Sequence, residues 1–249
     1  MRCRLLGASV GLGLAIVVSA AAQTPDQLMA RCLGNDNSPP EQSLEACTAV
    51  LKLGASAPQA PAQTYYDRAR VHETMKRLDL ALADIDQALK LAPADATILF
   101  WQARLYQDLG KDDLALAGYA EALRADPGLN ECLNRRGQIY LKAGALDLAD
   151  REFAALATRS TIEAPTAALL SRGIAQLKLG KSDAALAAFA LALKSEPRSP
   201  WEEATALYGS GLAHRAKGEA SAGDAAIARA TALDKDVSRR FEKFGLKAG

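Results

Sequence analysis

Few side chains in this sequence are of a type that does chemistry. There are two histidines and four cysteines, and no acidic cluster stands beside them. His72 or His214 would have to act as a general base or a metal ligand, and each needs a partner at short fixed spacing. Neither has one. Both fall in one column of a repeated pattern in which Tyr106 and Tyr140 stand at other copies. They therefore read as half-buried rings between helices. Asp84 and Asp86 are two apart, so on a helix they point in different directions. With the KDD run at 111–113 they read as solvated surface. The sequence holds no G-x-x-x-x-G-K-[ST], H-E-x-x-H or G-x-S-x-G motif. The expectation is no catalytic residue, no metal and no cofactor. An enzyme with a site outside the known motifs is the least favoured function.

The cysteines depend on where the chain folds. Residues 1–22 hold a basic start (MRCR), an uncharged apolar run and small residues at Ala20 and Ala22. That order describes a secretory signal peptide cleaved after Ala22; an uncleaved anchor is the alternative. Losing Arg2 and Arg4 with it turns the formal charge from +1 to −1. Export to an oxidising compartment, the periplasm of a bacterium, favours a bridge between Cys32 and Cys47, which share one local unit. Two free buried thiols are the other reading. Cys132 is left as a small apolar packing residue.

The elements that carry these residues follow from a repeat. DLALADIDQALKLAPAD at 79–95 returns as DLALAGYAEALRADPGL at 113–129, 34 positions on. Ala81, Ala115, Ala149, Ala185 and Gly223 form one column, and Ile85, Tyr119, Phe153, Phe189 and Ile227 another. Ala69, Ala103, Gly137, Gly173 and Gly211 form a third. Ala81, Ile85 and Ala88 recur at i, i+4 and i+7, one stripe of a helix. Leu99, Ala103 and Tyr106 mark a second helix in the same unit. Gly110, Gly144, Gly180 and Gly218 end the first helix, where a positive φ is wanted. Asp79, Asp113, Asp147 and Asp183 open the second as caps or first-turn acids. Pro93, Pro127 and Pro197 stop it.

This pattern resembles the tetratricopeptide repeat (TPR) family. The resemblance implies an all-α solenoid of stacked helical hairpins with a right-handed superhelix. Five units are read at 62–95, 96–129, 130–163, 166–199 and 204–237. Insertions fall at Ala164–Pro165 and Pro200–Glu203, and the fifth unit departs most from the pattern, with Gly223 and Lys235 at landmark positions. Residues 23–57 form a helical hairpin cap, 58–61 a linker, and 238–249 a C-terminal cap and tail. Val237, Phe241 and Phe244 are expected to cover the last unit, with Arg239, Arg240 and Lys243 in water.

In this family the first helices line a concave groove that holds a peptide or a partner helix. By register the groove positions here are Tyr66, Arg70 and Glu73; Phe100, Arg104 and Gln107; Asn134, Gln138 and Leu141; Leu170, Ile174 and Leu177; and Tyr208, Leu212 and Arg215. One end is thus cationic and aromatic. The other is apolar, either an exposed patch that marks a protein contact or a face covered by the chain's own caps or by a second copy. Positions matching the family's carboxylate clamp read Tyr66, Arg70, Trp101, Glu131 and Arg135, so that clamp is not predicted, and Trp101 reads as a packing residue. The reading is a non-catalytic protein- or peptide-binding scaffold of the bacterial envelope, monomer or homodimer, with no nucleic acid partner. The alternative is an envelope assembly or maintenance factor that also touches the membrane weakly through Arg239, Arg240 and Lys243.

Overall fold

A computed structural model describes residues 23–54, 60–159, 166–195 and 199–248. The signal-peptide segment lies outside them, as do part of the 58–61 linker, Ala164–Pro165 and Pro197. Among the described residues there are thirteen helices and no strand. The first two are α1 (Pro25–Cys32) and α2 (Pro40–Lys52). Five hairpins follow: α3 (Pro61–Thr74) with α4 (Leu78–Leu91), α5 (Ala96–Asp108) with α6 (Asp112–Ala125), and α7 (Asn130–Ala143) with α8 (Leu146–Arg159). The last two are α9 (Thr166–Lys178) with α10 (Ser182–Lys194), and α11 (Pro200–Ala216) with α12 (Ala220–Leu233). A short α13 (Val237–Glu242) closes the chain of helices. Each helix packs on its neighbours in sequence order, as a solenoid requires.

The repeat columns are the core. Ala81, Ala115, Ala149 and Ala185 are fully buried, and Ile85, Tyr119, Phe153 and Phe189 fill the space beside them. Small residues on the first helix let the hairpin close. A Cβ placed on Gly211 would come within 2.8 Å of the Gly223 carbonyl oxygen, and one on Gly223 within 2.9 Å of Gly211 O. The fifth hairpin, weakest by pattern, thus has its two backbones in direct contact.

Helix ends follow local chemistry. Gly110, Gly144, Gly180 and Gly218 adopt φ between 71° and 81° at the hairpin turns. In the first hairpin Lys76 takes that place, at φ 59°. The aspartates at the second-helix starts are first-turn acids, not caps: the residues at the cap are Arg77, Lys111 and Lys181, which make no side-chain capping bond. The Pro200–Glu203 insertion does not loop out. It lengthens α11 to 17 residues behind a Ser199–Glu202 capping box.

The N-terminal hairpin is held by the Cys32–Cys47 disulfide, with Cα atoms 4.6 Å apart. Its turn is tied by Asp36, which accepts from Arg31 Nε at 2.9 Å and the Ser38 amide at 3.0 Å. These bonds hold its carboxyl down at about 2. Cys132 is a buried free thiol, pushed up to about 12 by burial.

At the other end the repeat runs half a unit further than the sequence reading carried it. Phe241 and Gly245 stand 34 residues after Leu207 and Gly211, so α13 begins a sixth first helix. It stops at Gly245 (φ 75°), where Leu246 N–H donates to Phe241 O at 3.0 Å. That bond and the left-handed glycine make a Schellman-type ending. Val237 and Phe241 are fully buried, and Phe244 packs against the same core. Arg240 departs from its expected place in water. It pairs with Asp234 at 2.6 Å and lies over the Trp201 ring at 5.4 Å.

Candidate functional site

The helices α3, α5, α7, α9 and α11 carry the residues assigned to the concave face. At its N-terminal end α3 contributes Tyr66, Arg70 and Glu73, and α5 contributes Trp101 and Arg104. Tyr66 meets Trp101 edge to face, with ring centroids 5.6 Å apart. The Arg70 guanidinium lies 5.8 Å from the Tyr66 ring and 5.7 Å from Trp101. Arg104 stacks on Trp101 at 4.0 Å and is ion-paired with Glu73. Arg70 approaches Asp67 only to 4.0 Å, and 52% of its side chain is exposed. Burial pushes the Tyr66 phenol up, with Arg70 acting against it.

Arg70, Glu73, Trp101 and Arg104 border a cavity of about 480 Å³, whose other wall is the disulfide-held hairpin through Cys32, Ser38, Pro40 and Ser43. Its charged lining is Asp67, Arg70, Glu73, Lys76 and Arg104. With Glu73 answered by Arg104, the cations outnumber the acids. A cation backed by two ring faces suits an anionic or hydrogen-bonding group on a partner.

By register Phe100 and Arg104 are neighbouring groove positions on one helix. In the structure Arg104 takes Trp101, while Phe100 packs inward against Tyr119, 5.7 Å between centroids. Trp101, read as a packing residue, is the centre of the cluster. Gln107 is engaged internally, accepting from the Tyr119 hydroxyl at 2.7 Å. Asn134 and Gln138 are half-buried and bond to each other, and Leu141 is buried. Glu131 and Arg135 pair at 2.9 Å, away from the cluster.

The apolar end is not open. Leu170, Ile174, Tyr208 and Leu212 are between 2% and 8% exposed. α9 and α11 pack directly on each other, and α13 packs on α11. Phe241 lies 4.9 Å from the Tyr208 ring. Phe244, Leu246 and Ala248 pack against the core cluster that contains all four residues. The chain itself covers the face.

Two further groups differ from expectation. Asp84 is buried, and Arg68 grips it with two bonds of 2.8 and 2.6 Å. Asp86 accepts from Gln102 at 2.8 Å. Arg136–Glu152 (2.7 Å) and Arg172–Asp150 (2.9 Å) are similar links. Arg68, Gln102, Arg136 and Arg172 occupy one repeat column, so a polar ladder ties first helices to second helices. Its signal in the sequence was that column of long donors. His72 is buried, with Nε2 3.7 Å from Asp84 and no partner for Nδ1 among the described residues. Burial holds its pKa below the ordinary value. Among the described residues no three His, Cys, Asp or Glu side chains converge as a metal site, and no helix is long and apolar enough to cross a membrane.

A tetratricopeptide repeat family model matches residues 66–130, 134–200 and 170–237. The chain belongs to the tetratricopeptide repeat family. No curated protein matches it. Among solved structures, YrrB, a TPR protein with an unusual peptide-binding site, aligns with a TM-score of 0.65 and 22% identity. That match covers 80% of this chain and 99% of YrrB. MamA aligns at 0.62 and 18% identity over 72% of this chain and 94% of its own. A TPR protein from Parabacteroides merdae aligns at 0.62 and 18% identity, over 88% and 98%. At these identities the likenesses show the fold. Family membership supports a protein-interaction scaffold, and TPR proteins are generally non-catalytic.

Proposed function

We propose that this chain is an exported, non-catalytic scaffold that docks a protein or peptide partner on the N-terminal half of its concave face. The observation that carries the reading is Arg70. Its guanidinium is half exposed, backed by the Tyr66 and Trp101 rings, at the edge of a 480 Å³ cavity. Aromatic and arginine anchors, once a partner desolvates them, dominate binding energies at protein interfaces. YrrB, with its peptide-binding site, supports a peptide as the partner class.

Cross-linking in cells followed by mass spectrometry tests the reading, with Arg70→Glu and Trp101→Ala variants beside the unchanged chain. Both variants are expected to lose a partner that the unchanged chain captures, while keeping their helical content. A partner set unchanged in both sinks this placement of the site. Export to the periplasm rests on residues 1–22 and accords with a Cys32–Cys47 bridge, which an oxidising compartment favours. Cell fractionation and N-terminal sequencing test it; a mature chain starting at Gln23 is expected. The membrane reading loses support, because Arg240 is tied to Asp234 and Trp201.

A further inference from the structure

A second cavity, of about 530 Å³, is lined from α6, α7 and α8. No residue assigned to the concave face lines it. Leu123, Leu133 and Ala155 give it apolar walls. Its charged lining is Arg124, Arg136, Arg151 and Arg159 against one acid, Glu152. The repeat does not ask for this charge. Arg151 stands in the column of Ala83, Ala117 and Ala187, and Arg159 in that of Leu91, Ala125 and Ser195. With Ala155 they fall at i, i+4 and i+8, one stripe along α8. The corresponding recess one unit earlier carries Asp86, Lys90 and Gln102, so its charges balance.

Two of the four arginines are answered by acids. Arg136 pairs with Glu152 at 2.7 Å, and Arg124 meets Glu121 at 3.4 Å. Arg159 donates to the Pro127 carbonyl at 2.9 Å, a neutral partner. Arg151 is exposed and has no ion pair among the described residues. Arg136 also differs from Arg68 in its own column. Arg68 bonds Asp84 through Nε and Nη2, whereas Arg136 reaches Glu152 through Nη2 alone. The Arg136 Nε is buried and has no acceptor among the described residues. A buried donor without an acceptor in a cavity wall is a demand that a ligand oxygen can meet.

We propose that this cavity binds a phosphate monoester with an apolar body. Arg151 and Arg159 hold the phosphate, with Arg124 and Arg136 beside them, and the body lies on Leu123, Leu133 and Ala155. Two guanidinium charges without an acid match a phosphate monoester, which carries about −1.5 to −2 at pH 7, better than they match a carboxylate. Planar guanidinium forks bond phosphate oxygens in pairs. The volume suits a small organic molecule. This site is independent of partner docking at Arg70.

The probe is phenyl phosphate, titrated into the full chain by calorimetry beside inorganic phosphate. Phenyl phosphate is expected to bind at least about tenfold more tightly than inorganic phosphate, because its ring leaves water. Arg151→Ala with Arg159→Ala installs the residues found at 117 and 125, so the chain is expected to stay helical. That double variant is expected to bind phenyl phosphate at least about tenfold more weakly. Arg70→Glu is expected to leave binding unchanged. No binding of phenyl phosphate overturns the proposal, and so does equal binding by the double variant. Equal affinity for the two probes leaves an adventitious ion only and overturns it as well. Should the double variant fail to fold, NMR of the arginine Nε–H groups in the unchanged chain decides. Phenyl phosphate is expected to shift those of Arg136, Arg151 and Arg159 and to leave that of Arg68 in place; the reverse overturns the proposal. Vesicles of phosphatidylcholine and phosphatidic acid present the same group in a bilayer. Sedimentation with them that the double variant loses assigns the site to a lipid headgroup, and phenyl phosphate binding without it assigns a dissolved ester.

Discussion

The two halves of the concave face solve opposite problems with the same backbone. Near α3 and α5 the face is cationic and aromatic and borders a cavity walled by the N-terminal hairpin. Near α9 and α11 the face is apolar and covered by α13 and the segment after it. The difference follows from side-chain chemistry. Arg70 keeps its charge in water while its stem and plane rest on rings. Leucine, isoleucine and tyrosine at the matching positions leave water wherever the chain supplies a cover. An apolar solenoid end needs a cap for the same reason.

The comparison breaks most sharply at Phe241. It is fully buried, and it joins the end of the solenoid to Tyr208 by a ring contact. Phe241→Ala is expected to cost about 3–5 kcal/mol, the usual result of emptying a buried aromatic site. Urea unfolding measures it. The partner capture proposed for Arg70 should survive wherever the chain remains folded. A loss well under 1 kcal/mol would show that α13 contributes little to the covered half.

The next effect belongs to the other end. Replacing Cys32 and Cys47 together by alanine opens a closed segment with a sequence separation of 15. The expected cost is about 3 kcal/mol, on the chain-entropy account of cross-links. The hairpin wall of the cavity should loosen first, seen as faster hydrogen exchange in α1 and α2 than in α9 to α12. Uniform protection across both halves would contradict a locally stapled wall.

Much of this architecture is legible in the sequence, because packing writes it as columns. Alanine at 81, 115, 149 and 185 is what a close helix pair permits, and glycine at the hairpin turns is what a left-handed φ permits. The pairing of Cys32 with Cys47 is readable from their shared local unit. The covered half is less so. Register says which way Leu170 or Tyr208 points, and nothing about what lies over it. The cover comes from a partial sixth unit whose Phe241 and Gly245 continue the 34-residue spacing, a signal present but short. Trp101 escapes for a different reason. It stands one residue beyond the groove position Phe100, and the choice between the two rings is made by which one finds space inside, beside Tyr119. Asp84 looks like surface until Arg68, 16 residues earlier, is seen to grip it.

A smaller effect sharpens the irregularity of the N-terminal half. Lys76 lines the cavity and holds φ 59°, where later hairpins have glycine. Lys76→Gly is expected to raise stability by about 1 kcal/mol, because the left-handed conformation strains a residue with a Cβ. Thermal melting checks it, and a fall in the midpoint would contradict it.

The smallest contrast sets one histidine against another in the same column. His214 is half-exposed, with Nδ1 2.6 Å from Glu219. His72 is buried, and burial outweighs the pull of Asp84, with Arg68 and Arg77 adding to the downward shift. A base whose folded pKa lies below its unfolded value of about 6.5 binds more protons when unfolded. Stability is therefore complete above that value and falls as pH drops through it toward the depressed folded pKa. Urea midpoints at pH 7.5 and 5.5 should differ more for the unchanged chain than for His72→Tyr, which installs the residue found at 106 and 140. Equal pH dependence in the two would mean that the buried imidazole is protonated as readily folded as unfolded, and that the contrast between the two histidines is one of position alone.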